Sequence, residues 1–159
     1  MDSITYGSVN VIWDNEYYNY PYTKQPLKEE EMVNWRSLGY YHESFSGGMY
    51  DSRNPMPDWT DTVAEQIGLT NTGFVFYKMQ TLDIMPNHTD HFETYCKVFD
   101  VNRDDVIRAL LFLEDWAPGQ YLEVGHKALT SWKAGDYVMW QPHVDLSLIH
   151  ISEPTRRTP

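Results

Sequence analysis

The sequence predicts a mostly β, α+β domain in which two helices precede a run of short strands. Three observations carry that reading. Apolar residues recur at helical spacing in two N-terminal segments, each closed by a glycine. After residue 73 the pattern turns to short aromatic and β-branched runs. Turn-forming residues punctuate those runs roughly every ten positions, the cadence of a β-sandwich or barrel.

The elements follow in order. Residues 9–13 (VNVIW) alternate and are β-branched, which predicts a short strand. A Tyr- and Asn-rich loop follows at 14–23. Pro26 opens a helix over 26–38, where Glu29, Glu30 and Glu31 suit the positive end of the helix dipole. Met32, Trp35 and Leu38 give it one apolar face, and Gly39 stops it. A strand is expected at 40–45 and a turn at Ser46-Gly47-Gly48. A second helix spans 57–67, with Trp59, Val63 and Ile67 every fourth residue and Gly68 as its stop. A long strand is expected over 73–83, and Pro86 is expected to break its ladder. Residues 92–101 read as a loop or a short helical excursion. Residues 106–113 (VIRALLFL) read as the most buried strand. Ala117-Pro118-Gly119 has the chemistry of a type II turn. Strands at 121–124, 128–132 and 137–140 follow, separated by turns at Gly125-His126 and Ala134-Gly135-Asp136.

Length and composition bound the function. The 159 residues amount to one domain, and 42% apolar residues with six Trp and twelve Tyr can fill one core. Twelve Lys and Arg against 23 Asp and Glu give a formal charge of −11. A phosphate backbone recruits basic residues, so neither nucleic acid nor an anionic membrane is an expected partner. No apolar run approaches membrane-spanning length. The N-terminus has no basic stretch leading into an apolar one, so no signal peptide is expected. Cys96 is the single cysteine, which leaves no internal disulfide and fits a reducing cytoplasm.

Residues 82–94 (LDIMPNHTDHFET) hold most of the chemistry. On a strand, His88 and Asp90 would share a face and offer an imidazole nitrogen and a carboxylate oxygen to one point. These are ligand types of the two-histidine, one-carboxylate triad that holds Fe(II) with open positions. The bland alternative is a polar strand end at the surface. His91 would face the other way. Arg108 interrupts an apolar strand, and a buried guanidinium needs a partner. It either points outward, pairs with an acid, or meets an anionic cosubstrate. Tyr77 is a packed aromatic or a cosubstrate contact.

The stretches DIMPNHTDHFETY, RALLFLEDWAPGQYLEV and SWKAGDYVMW, in this order, resemble the 2-oxoglutarate- and Fe(II)-dependent oxygenases, in particular small marine bacterial and cyanophage members. The resemblance covers most of the chain through Trp140. It implies a double-stranded β-helix (a jelly roll, cupin-like) with the N-terminal helices packed on one face. It implies Fe(2+) and 2-oxoglutarate as cofactors, and a dioxygenase coupling 2-oxoglutarate decarboxylation to oxidation of a small molecule or a protein side chain. His88, Asp90 and a distal His would hold the iron. His143 stands 55 residues after His88 and is the candidate, although the relatives' distal His would fall at 146, where this chain has Leu146. Tyr77 and Arg108 are the candidates to contact 2-oxoglutarate, with Lys78 and Lys97 as further choices for the same anion.

Residues 146–159 (LSLIHISEPTRRTP) change character. The first eleven resemble the in-frame translation of a transposon-type sequencing adapter. The expectation is an oxygenase-like domain over 1–145, lacking its last strand or strands, and a non-native tail over 146–159 that includes Arg156 and Arg157. Two other readings stay open: a cupin-like protein that binds a metal or small ligand without catalysis, and an inactive fragment with an exposed sheet edge.

Overall fold

In the computed structural model, residues 4–24, 29–39 and 47–150 are described. The expected strand at 40–45, the start of the first helix at Pro26, and Arg156 and Arg157 lie outside them. The described elements are β1 (Thr5–Ser8), β2 (Thr23–Lys24), α1 (Glu29–Ser37), β3 (Gly48–Asp51), α2 (Trp59–Ile67), β4 (Val75–Lys78), β5 (Ile84–His88), α3 (Glu93–Phe99), β6 (Arg108–Leu111), β7 (Gln120–Val124), β8 (Lys127–Leu129), β9 (Asp136–Trp140) and β10 (Leu146–His150). Single 3-10 turns occupy Glu16–Asn19 and Arg103–Asp105. The fold is mostly β, in three antiparallel sheets ordered β1-β9-β6, β5-β10-β7-β8 and β2-β3-β4. Among the described residues, no helix is long and apolar enough to cross a membrane.

The main core lies between two of these sheets. Leu122 and Val124 of β7 stand opposite Leu148 and Leu146 of β10, so all four side chains share a face. Val138 and Trp140 of β9 meet them from the β1-β9-β6 sheet, with Phe112 and Val144 completing the buried cluster. Trp132 stacks on Phe112 at its edge, 4.2 Å between ring centres. Leu122, Val124 and Val138 are wholly buried, each stabilising the fold by about 1.5–3 kcal/mol relative to exposure. A second cluster is aromatic. Tyr17, Tyr50 and Phe76 are buried there, with Trp13, Tyr20, Tyr22 and Trp59 packed around them. Trp59 meets Phe76 edge-on at 5.6 Å.

The glycine-marked turns form as the sequence predicts. Gly119 has φ 95, and the Gln120 amide donates to the Ala117 carbonyl across the turn. Gly68 takes the left-handed conformation that ends α2, and its amide reaches the Ala64 and Glu65 carbonyls. The expected turn at Ser46-Gly47-Gly48 lies partly outside the described residues. Gly48 begins β3, and Gly47 lies so close to the Lys78 carbonyl that a Cβ there would collide with it.

Strand boundaries depart from expectation where a partner runs out. The first strand is 5–8 rather than 9–13 because β1 pairs with β9 from Met139 back to Asp136, where β9 begins. Val9 donates once more, to the Gly135 carbonyl, and Ile12 is then 94% exposed. The long strand over 73–83 is divided. β4 ends at Lys78, a turn bonds the Asp83 amide to the Gln80 carbonyl, and β5 begins at Ile84. Residues 92–101 hold the helix α3. The run at 106–113 is not the most buried strand. β6 is the outer strand of its sheet and its four residues are only half-buried, whereas β7 and β9 supply the core. The apolar face of α1 is shorter than expected, since Leu38 is exposed. Residue 146, where the change of character was noted, starts β10, and β10 lies between β5 and β7.

Leu122→Ala should lower the unfolding free energy by about 2–5 kcal/mol in urea titration, because the cavity it leaves sits between two sheets. Ile12→Ala should change it by less than about 0.5 kcal/mol.

Candidate metal centre

The site begins with a proline in a strand. Proline has no amide hydrogen to give the ladder, so it is tolerated at irregularities. Between β5 and β10 the register shifts: Leu146 pairs with His88, but Leu148 pairs with Met85. β5 therefore carries one extra residue, a bulge at Pro86 and Asn87. Pro86 is buried within β5 and its ladder continues around the bulge, so it does not break the strand as the sequence suggested.

The bulge aims the Pro86 carbonyl at His88, whose Nδ1 lies 2.8 Å away. A carbonyl only accepts, so Nδ1 carries the hydrogen. In the neutral ring the lone pair is then on Nε2. That atom lies 3.6 Å from Asp90 Oδ1. Asp90 is not on the strand, which ends at His88, so shared strand-face geometry does not account for their meeting. The chain leaves β5 and is held at Asp90 by Arg103, which donates to the Asp90 backbone carbonyl through Nε at 3.3 Å and Nη2 at 3.0 Å. The other carboxylate oxygen, Oδ2, is buried without a hydrogen-bond partner. Arg108 Nε stands 3.7 Å from it.

Arg108 opens β6 opposite Trp140 and points toward Asp90, so it pairs with an acid rather than with solvent. Its guanidinium is 5.8 Å from the Tyr77 ring centre and 5.9 Å from that of Phe92. Four of the residues singled out in the sequence, His88, Asp90, Tyr77 and Arg108, thus gather at one end of the core. His143 does not complete a three-ligand group with them among the described residues. It is exposed on the turn at 141–144, where the Val144 amide bonds the Gln141 carbonyl and turns Val144 into the core. Among the described residues, no third His, Cys, Asp or Glu joins the pair. The residue facing His88 across the ladder is Leu146, 6% exposed. Sequence reasoning missed Arg103 and Phe92. Phe92 has φ 54, a left-handed backbone rare for an aromatic residue.

Charge and burial oppose one another here. Burial works against a charged His88, but the Asp90 carboxylate and the Pro86 carbonyl outweigh it and leave the imidazole above its usual range. Burial likewise works against ionised Asp90, and His88 and Arg108 outweigh it, holding the carboxyl below its usual range. The donor set fits a divalent metal in part. Two ligands each about 2.1 Å from a common ion stand roughly 3–3.5 Å apart, close to the observed separation. A backbone carbonyl holding the far imidazole N–H is the support that metal-ligating histidines commonly have. The third protein ligand of a facial triad is lacking in the described arrangement.

The chain matches no family model, no curated protein and no solved structure.

The pair gives a pH window for the metal-free protein. A raised His88 contributes stability fully below about pH 6.5, and the contribution is lost as pH rises through its folded value. A depressed Asp90 contributes above about pH 3.9 and is lost as pH falls through its folded value. Urea midpoints across pH should show His88→Gln losing stability chiefly in the acidic-to-neutral range and Asp90→Asn chiefly above pH 4. The two losses overlap between about pH 4 and 6.5.

Proposed function

We propose that the chain is built as a 2-oxoglutarate- and Fe(II)-dependent dioxygenase of jelly-roll type, with His88 and Asp90 as its iron-holding pair. One observation carries the reading: an imidazole nitrogen freed by the Pro86 carbonyl and a largely buried carboxylate converge at 3.6 Å at the end of a core strand. The two sheets that face each other across the main core, with helices in the N-terminal half, are consistent with such a scaffold. Bound iron would supply the oxygen chemistry that couples decarboxylation of 2-oxoglutarate to oxidation of a substrate C–H bond.

The chain's own residues have distinct tasks in this reading. Pro86 holds the proton on Nδ1 and keeps Nε2 open. Asp90 supplies negative charge that burial leaves poorly solvated, which favours a cation beside it. Arg108 is a charged fork at the same spot and can take a carboxylate of the cosubstrate once a metal ion shares Asp90. Tyr77, against the guanidinium, limits where that carboxylate can lie. Leu146 opposite His88 and Trp140 opposite Arg108 put apolar residues beside the pair. The acidic surface favours a small molecule or a protein side chain as substrate over nucleic acid.

Leu146 favours a second reading. An aliphatic side chain across from His88 leaves two protein ligands, which suits a cupin-like protein that binds a metal or small ligand without turnover, or an inactive fragment.

Anaerobic protein mixed with Fe(II) and 2-oxoglutarate should develop a weak visible charge-transfer band that His88→Ala and Asp90→Ala each abolish. Metal binding with no band and no succinate would select the second reading, and no metal binding at all would sink both metal readings. Leu146→His should lower the thermal midpoint of the metal-free protein and tighten Co(II) binding by more than about tenfold, the gain of a further ligand.

A further inference from the structure

We infer that Arg103 is a positioning residue that clamps together the two loops bounding the metal centre and thereby sets its affinity for a divalent cation. The inference rests on the metal reading of His88 and Asp90. Arg103 sits in the 3-10 turn Arg103–Asp105, away from both ligands in sequence. Its backbone is pinned, because its carbonyl accepts the amide of buried Val106. Its guanidinium then reaches two remote segments at once. Nε and Nη2 donate to the Asp90 carbonyl at 3.3 and 3.0 Å, and Nη2 also donates to the Pro142 carbonyl at 2.7 Å.

Both segments lie outside the ladders. Asp90 follows the end of β5, and Pro142 lies between β9 and β10. His88 is held by β-pairing and by the Pro86 carbonyl, so its Nε2 has a fixed place. The separation of that nitrogen from Asp90 Oδ1 therefore depends on where the Asp90 backbone is held. Pro142 is buried, and a buried carbonyl needs a donor. A guanidinium serves both carbonyls because it presents five N–H groups in a rigid plane, whereas a lysine ammonium is a single point.

Position and charge predict opposite outcomes. Arg103 is a cation near the site, so if charge were its only influence, removing it would strengthen the binding of a divalent ion. If it positions Asp90, removal weakens binding. The experiment is a Co(II) titration of the whole chain and its Arg103→Gln and Arg103→Lys variants, paired with amide hydrogen exchange. Arg103→Gln should bind Co(II) roughly 10–100-fold more weakly, with Arg103→Lys intermediate. Exchange at 89–92 and 141–145 should accelerate together while β7 and β9 stay protected, which also verifies folding. Equal or tighter Co(II) binding by folded Arg103→Gln, or faster exchange in only one of the two segments, would overturn the inference. A wild-type chain that binds no Co(II) overturns the metal reading and the affinity claim with it, and the paired exchange then judges the clamp alone.

Discussion

Leu146 is paired on both sides. Across one ladder it faces His88, and across the other it faces Val124, a wholly buried core residue. The strand that carries His88 is therefore joined to the core through a single central strand. Burial of Leu122, Val124, Leu146 and Val138 holds that strand in place, and the position of His88 follows from it. Side-chain packing between two sheets and the placement of His88 at their end are thus one problem. A change that loosens the β5–β10 ladder moves the imidazole as well as the core.

The charges at this end form a closed set in the absence of a metal. Asp90 lies between an imidazole that favours protonation and a guanidinium. Under the proposed metal reading, a divalent ion would compete with the proton for His88 and share Asp90 with Arg108, so its affinity would depend on pH and on an accompanying anion. Under that reading Arg108 would oppose a bare cation and favour one that arrives with a carboxylate.

Much of this was legible from residue chemistry. Gly68, Gly119 and Gly135 adopt positive φ where turns were expected, because few other residues tolerate it. The two helices were marked by period and stop residue. His88 and Asp90 were visible as a pair, and Arg108 stood out as a charge in an apolar run. Strand limits were less legible, since Ser8 ends β1 only because β9 begins at Asp136. Arg103 left no signal at all: it bonds backbone carbonyls, which every residue possesses, so no spacing of side-chain types announces it. The convergence of His88 and Asp90 was anticipated for a reason the fold does not use, as Asp90 lies beyond the strand.

The bulge at Pro86 and Asn87 changes the parity of β5. Side chains on a regular strand alternate, so two inward residues are separated by an even number of positions. Met85 and His88 are three apart, yet each stands opposite an inward leucine of β10. One surplus residue lets the strand present Met85 and the His88 imidazole on the same face of the ladder. The length of this segment is consequently as constrained as its composition: losing a single residue there would rotate the imidazole toward solvent while leaving every side chain of the centre present in the sequence.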